Sequence, residues 1–481
     1  MRVARRASFL IGLLLLLPGC DRSPFGQTRT TAVDQAQQPH WTRATARQLR
    51  DAIDNRAAHA LDRIPFDAGG KPGSADGDAA LTHAALAYAR ALAEGATDPK
   101  KLYDLYTIPR PHPDLKQGLA AALQKKDVAG WLESLAPQDA NYRRLSQAYL
   151  GIVRQASALV RAIPDAGKTI AAGSTDPRVP VIAQQLIAMD YLDPHFAHAR
   201  RYSRAMVAAV RALQADYGIN PDGIIGSQAL TILNLSDDDR ARAIAVAMER
   251  LRWLDRAPPP TRIDVNLAAA RLTYWRDGQI ADSRKVVVGE PDKETPQLSA
   301  PIFRLVANPT WTVPRSVQQT ELADAGDDEL ARQNMAWKDG WIVQQSGPRN
   351  SLGLVKFDMV DDQAIYLHDT PAKALFNLVQ RQRSHGCVRV EDALGFAQLI
   401  AGDEGIADEW QAALASGEET FVKLPRQIPV RLLYQTVLFA DDGTPIIRND
   451  PYNWNDRVAV ALGFAASNAL GFKAGKGDVG P

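Results

Sequence analysis

Two side chains of this chain have the types that covalent catalysis needs. Cys387 is one of only two cysteines in 481 residues, and His368 is one of eight histidines. A free thiol has a pKa of about 8.5, so it becomes a good nucleophile at neutral pH only beside a base. A histidine on a neighbouring strand is the usual partner. Ile365 and Leu367 alternate ahead of His368 and predict a strand over Ala364–His368. Cys387 follows Gly386 directly and opens a second short strand, Val388–Val390, which runs into a helical pattern at Leu394, Phe396, Leu399 and Ile400. A small buried thiol and a satisfied core histidine are the other reading of such a pair. It is weighed against the residues around them, Ser384-His385-Gly386 before the cysteine and Arg389 after it.

The rest of the chain must position this stretch. With 46% apolar and 23% charged residues over 481 positions, several domains with buried cores are expected. The 56 basic and 55 acidic residues leave a net charge of +1, so nothing points to a nucleic-acid partner. Arg2, Arg5 and Arg6 precede an apolar run, Phe9–Leu17, that is too short to span a bilayer. Residues 1–20 therefore read as a secretory signal. Residues 21–45 are polar and read as a tether. A helical pattern fills 46–165, with Leu81, Ala85, Tyr88 and Leu92 on one face; its histidines, His59, His83 and His112, are scattered. A compact helical module follows at 176–236. There His195 and His198 are spaced like metal ligands but lack a third, and read as a solvated turn. Arg240–Trp253 continues as helix, and Pro258–Pro260 is a stiff linker.

Strand periodicity takes over from 260 to 425, with Asp277-Gly278 as a hairpin turn and Gln318–Gly340 polar and helical. Residues 426–456 carry a further hairpin, turned at Asp442-Gly443 and packed on the strand domain. Residues 457–481, rich in Ala and Gly, read as a flexible tail.

The chain resembles the L,D-transpeptidase (YkuD-type) family. The resemblance rests on His368 followed 16 positions later by Ser384-His385-Gly386-Cys387 and then Arg389. It extends to Val286-Val-Val-Gly-Glu-Pro-Asp292, Asn308-Pro-Thr-Trp-Thr-Val-Pro314, Pro348-Arg-Asn-Ser-Leu-Gly353 and Ile365-Tyr-Leu-His-Asp-Thr-Pro371, which are similar to the larger periplasmic members. Tyr217-Gly-Ile-Asn-Pro-Asp-Gly-Ile-Ile-Gly226 resembles the peptidoglycan-binding repeat. The implied fold class is α+β and multidomain: an all-α scaffold, a small helical peptidoglycan-binding-like domain, then a β-rich catalytic domain. In the larger members a longer segment forms a flap over the site, and this chain carries a shortened version.

The resemblance implies acyl transfer without metal or cofactor. Cys387 attacks a stem-peptide carbonyl, His368 takes the thiol proton to give a thiolate–imidazolium pair, and a second stem resolves the thioester. Backbone N–H groups around His385, Gly386 and Cys387 are the expected oxyanion hole. Either the Asp369 carbonyl or its carboxylate orients His368. Ser384, Arg389 and Tyr366 are the expected substrate-side residues, with Ser384 bonding locally and Arg389 either holding a stem carboxylate or forming a structural ion pair.

Leu17-Pro18-Gly19-Cys20 resembles a bacterial lipobox, which implies a lipidated Cys20 and a membrane-attached periplasmic protein of a Gram-negative bacterium; a plain secretory signal is the alternative. An unpaired Cys387 in an oxidising compartment is a liability unless its reactivity is the point. Peptidoglycan stems and other wall-synthesis proteins are the expected partners. Two rivals stand beside this reading. A metallopeptidase using His368, His385 and Cys387 lacks motifs such as H-E-x-x-H, and a noncatalytic wall-binding lipoprotein has no need of Cys387 and His368 in register.

Overall fold

Trp41 is buried, and its indole N–H donates to Thr82 Oγ1 at 2.9 Å. Thr42 then closes a capping box with Thr45 and starts the helix Arg43–Asp54. The polar tether expected to run to Thr45 therefore ends before Trp41, because that one large apolar side chain finds a core. The computed structural model describes residues 40–154 and 162–472. The expected signal segment, Cys20 and most of the tether lie outside the described residues.

Four more helices of the scaffold, Ala75–Glu94, Leu115–Lys125, Val128–Leu135 and Ala140–Arg154, bury Leu81, Tyr88, Leu92, Leu119, Leu132, Leu145 and Tyr149. The helical module contains Val179–Ala188, Arg204–Asp216 and Ser227–Leu233. Gln214 pins its Asp222-Gly223 turn, donating to Asp222 Oδ1 at 3.0 Å and accepting from Gly223 N at 2.8 Å. His195 sits in an exposed turn beside Asp193. The helix Asp237–Arg252 starts at a Ser236 capping box and is buried along most of its length. Among the described residues no helix is long and apolar enough to cross a membrane.

The strand domain is a nine-stranded sheet. Its strands are β1 (Arg262–Asn266), β2 (Arg271–Arg276), β3 (Gln279–Gly289) and β4 (Ser299–Ala307). After a separate small sheet of β5 (Trp311–Thr312), β6 (Met335–Lys338) and β7 (Trp341–Gln344) come β8 (Val355–Met359), β9 (Leu367–His368), β10 (Gln382–Ser384), β11 (Val388–Val390) and β12 (Thr420–Leu433). The order is β10-β3-β11-β9-β8-β4-β12-β1-β2, and β3 also pairs with β2, so the sheet closes on itself. Closure needs β3 to be long: residues 279–285 pair with β2, and 286–289 turn to β11 and β10. Alternate residues Val422, Leu424, Ile428, Val430 and Leu432 of β12 fill the interior with Phe357 and Leu367. The helix Ala393–Asp403 adds Phe396, whose ring meets Phe357 at 5.5 Å and Tyr274 at 5.9 Å.

Two expectations change here. Gln318–Gly340 is not helical throughout: the helices Arg315–Thr320 and Asp327–Arg332 give way to β6 and a turn at Asp339-Gly340, both with positive φ. The segment after 456 is not loose as far as 472. Helix Asn455–Ala461 and its continuation bury Val458, Ala459, Leu462 and Phe464, Arg242 pairs with Asp456, and Arg63 stacks over Phe464 at 4.1 Å. Helical spacing of those apolar residues outweighs the Ala/Gly composition. The hairpin β13 (Val437–Phe439) and β14 (Pro445–Ile447) reaches back to the helical part, where Asn449 N donates to Tyr217 O at 2.9 Å.

Candidate active site

Strands β9 and β11 lie side by side and parallel, with Arg389 opposite His368 and Val388 opposite Leu367. On the other side of β9, Lys356 of β8 is opposite His368. Side chains two apart share a face. One face of this three-strand patch therefore carries Lys356, Tyr366, His368, Cys387 and Arg389, while Leu367, Val388 and Val390 fill the barrel. The site is on the outer face and needs a roof.

The roof is the segment with the small sheet. Trp311, Val313, Val317, Leu330, Met335, Ile342 and Leu352 form a core of their own, against which Tyr366 packs. Beneath it lies a cavity of ≈ 70 Å³, lined from above by Trp311, Pro314 and Val317 and from below by Tyr366, His368, Cys387 and Arg389. Glu321, closing the helix Arg315–Thr320, reaches His385 Nε2 at 2.5 Å and Lys293 Nζ at 3.5 Å. The His385 ring thus faces Glu321 of the roof from the turn before Cys387, a close approach without hydrogen-bond geometry and with no sequence signal.

His368 is buried, and its Nδ1 donates to the backbone carbonyl of Asp369 at 2.5 Å. That bond leaves Nε2 for the chemistry. The Asp369 carboxylate is turned away: Oδ2 accepts from Leu354 N at 3.0 Å, and Oδ1 pairs with Lys373. Of the two ways Asp369 was expected to act, the carbonyl is the one the geometry uses.

The turn before β11 is held by Ser384. Its hydroxyl donates to Cys387 O at 2.6 Å and accepts from Gly386 N at 3.2 Å. Ser384 is buried and so braces the turn rather than presenting its hydroxyl to substrate. The same bond takes Gly386 N–H out of the expected oxyanion hole. Gly386 is required by its backbone, at φ +119°, in the region that favours glycine.

Burial pushes the His368 imidazole down from 6.5 to about 3, helped by the charges of Arg389 and Lys356 and opposed by the Asp369 carbonyl. Half-buried Cys387 is pushed up by burial, against bonds from Tyr366 and the charges of Lys356 and Arg389. At neutral pH the cavity is therefore shared by a neutral thiol and a neutral imidazole. Alkylation of Cys387 by iodoacetamide is expected to rise only as pH passes the ordinary thiol range near about 8.5. A reactive plateau extending into acid would contradict it. The same shift acts on stability. Between 6.5 and about 3 the unfolded chain binds a proton at His368 that the folded chain does not, so acidification through that window weakens the fold.

Lys356 was missed by sequence reading. Its ammonium pairs with Asp358 at 2.7 Å and lies 4.4 Å from the Tyr366 ring centre. No local motif marks it, since it reaches the site only through strand pairing.

Residues 260–447, which contain this site, match the family model of the L,D-transpeptidase catalytic domain, YkuD. The barrel is therefore similar to the YkuD-type L,D-transpeptidase catalytic domain. Ahead of it, residues 33–148 match a scaffold domain and 175–233 a "Putative peptidoglycan binding domain". A Haemophilus influenzae protein described as "Putative L,D-transpeptidase" is 28% identical over 223 residues, which cover 41% of this chain and 45% of that protein. The match thus spans under half the length of that relative. Among solved structures, an L,D-transpeptidase from Stackebrandtia nassauensis overlaps 55% of this chain and 94% of its own at 14% identity, with a TM-score of 0.24. The Enterococcus faecium L,D-transpeptidase catalytic domain acylated by ertapenem overlaps 37% and 99% at 14% identity, with a TM-score of 0.21.

Proposed function

We propose that the protein is a peptidoglycan L,D-transpeptidase that works through a Cys387 thioester. The observation that carries this is the shared face of β9 and β11, where Cys387 and His368 line one cavity and the Asp369 carbonyl fixes the imidazole. His368 Nε2 takes the thiol proton as sulfur bonds to the carbonyl carbon of a stem peptide. The C–N bond to the terminal D-amino acid then breaks, and that amine leaves with the proton from His368. The side-chain amine of diaminopimelate in a second stem next attacks the thioester and gives its proton to His368. The new amide forms, and sulfur leaves and recovers the proton.

With Gly386 N–H committed, the amides of Cys387 and His385 are the oxyanion donors, each worth roughly 2.7–4 kcal/mol. Arg389 and Lys356 add positive charge under the developing anion. A carbapenem, whose strained lactam carbonyl suits a thiolate, should add once and only at Cys387.

Incubation with disaccharide-tetrapeptide tests the reaction. A cross-linked dimer lacking one terminal alanine is expected by mass spectrometry. Tripeptide alone would reassign the protein to L,D-carboxypeptidase, and exchange of the terminal residue without dimer would make it a D-amino-acid exchanger. No product at all would leave a wall-binding protein.

We also place the protein in the periplasm, attached through lipid on Cys20, on the strength of the basic, apolar and Leu-Pro-Gly-Cys features of residues 1–20. Metabolic labelling with a fatty-acid analogue should mark the parent and not Cys20→Ser. A freely soluble, unlabelled parent would remove the anchor.

A further inference from the structure

The nucleophile's turn is held from a second side. Thr295, fully buried, donates its hydroxyl to Gly386 O at 2.7 Å and accepts Gly289 N–H at 2.8 Å. Gly289 sits at the end of β3, and its own carbonyl accepts the hydroxyl of Tyr452 at 2.5 Å. Tyr452 N donates to Tyr434 OH at 3.0 Å, and that hydroxyl donates to Asp450 Oδ1 at 2.5 Å. Asp450 also accepts from Asn455 N at 2.7 Å, and Asn455 Oδ1 accepts from Arg250 Nη1 at 2.6 Å. Every side chain in this chain of bonds is buried. It runs from the long helix Asp237–Arg252 to the residue beside the nucleophile.

The end of that chain matters because of peptide geometry. Gly386 C=O and Cys387 N–H belong to one planar peptide unit, and in a trans unit they point in opposite directions. A carbonyl held against buried Thr295 directs the Cys387 N–H away from Thr295. Gly386, at φ +119° and with no Cβ, would not fix that plane by itself. Ser384 fixes the next unit, through Cys387 O, but not this one.

We propose that Thr295 is a positioning residue that aims the Cys387 amide at the oxygen of the reacting carbonyl. This rests on the acyl-transfer reading above, because only a reaction that builds an oxyanion uses that amide. Thr295→Val keeps the shape and removes the hydroxyl, and Thr295→Ser keeps the hydroxyl.

Acylation by the tetrapeptide donor or a carbapenem should slow about 10²-fold in Thr295→Val, the cost of one misaimed donor. Iodoacetamide displacement builds no oxyanion, so alkylation should stay within about threefold, and Thr295→Ser should recover most of the acylation rate. Wild-type acylation by Thr295→Val overturns the proposal. So does an equal fall in acylation and alkylation that Thr295→Ser does not repair, which is the signature of a collapsed turn. Should the parent itself form no acyl adduct, the transpeptidase reading fails on its own. Positioning is then read from amide exchange of the 384–390 segment, which must be faster in Thr295→Val than in the parent and Thr295→Ser. Unchanged exchange sinks it.

Discussion

Cys387→Ala is expected to form no covalent adduct with a stem-peptide donor or a carbapenem and to lose turnover by at least about 10⁴-fold, the scale seen when a nucleophile is deleted from an acyl-transfer site. Cys387 is the one free cysteine among the described residues. The fold should survive, because Cys387 is half-buried at the mouth of the site and its Sγ makes only a long contact to Ala364 O at 3.7 Å besides its bonds from Tyr366. His368→Ala should retain the thiol but lose about 10²–10⁴-fold, the range for a general base. Intact-protein mass spectrometry decides the first variant. An adduct of undiminished yield in Cys387→Ala would place the nucleophile elsewhere.

Glu249→Ala is expected to cost about 3–5 kcal/mol of stability, the usual result of stripping one partner from a buried ion pair. Glu249 and Arg252 are both wholly buried in the helix Asp237–Arg252. The carboxylate accepts from Arg252 Nη2 at 2.6 Å, from Thr97 N and Oγ1 at 2.7 Å each, and from Trp253 Nε1 at 3.2 Å. Removing it orphans those donors and leaves the guanidinium with only His59 O and Tyr142 OH, each at 2.8 Å. Replacing both partners, Glu249→Leu with Arg252→Met, should recover much of the loss, because two charges then leave the core together. Denaturant unfolding of the single and double variants measures the coupling. A single variant as stable as the parent would mean that the pair contributes nothing net.

The Cys387 and His368 pair was legible because its residues are close in sequence and strand periodicity is a local signal. Ile365 and Leu367 announce β9, although the strand itself begins only at Leu367, after Ala364 takes a positive φ. Which part of Asp369 meets the imidazole was not legible, since carbonyl and carboxylate hang from the same residue and only the chain path separates them. Thr295, Lys356 and Glu321 escaped for a different reason. Each reaches the site across strand pairings or a closing roof, at separations where sequence spacing carries no geometry. The roof's core is likewise built from single apolar residues scattered between Trp311 and Leu352, too sparse to show a period. The late helix was hidden by composition: Val458, Ala459 and Leu462 are few among many small residues, yet their partners on the scaffold are what order them.

The roof over the cavity also makes the proton a ligand with a preferred state. His368 holds its proton weakly because it is enclosed, and part of that enclosure is Trp311, Pro314 and Val317. A protonated imidazole and a closed roof therefore oppose each other, and by linkage each proton bound favours opening as much as opening favours the proton. The roof has its own core, and the Tyr366 ring of the barrel's outer face packs against it. Acid therefore loosens the contact between roof and barrel as well as the barrel's own fold.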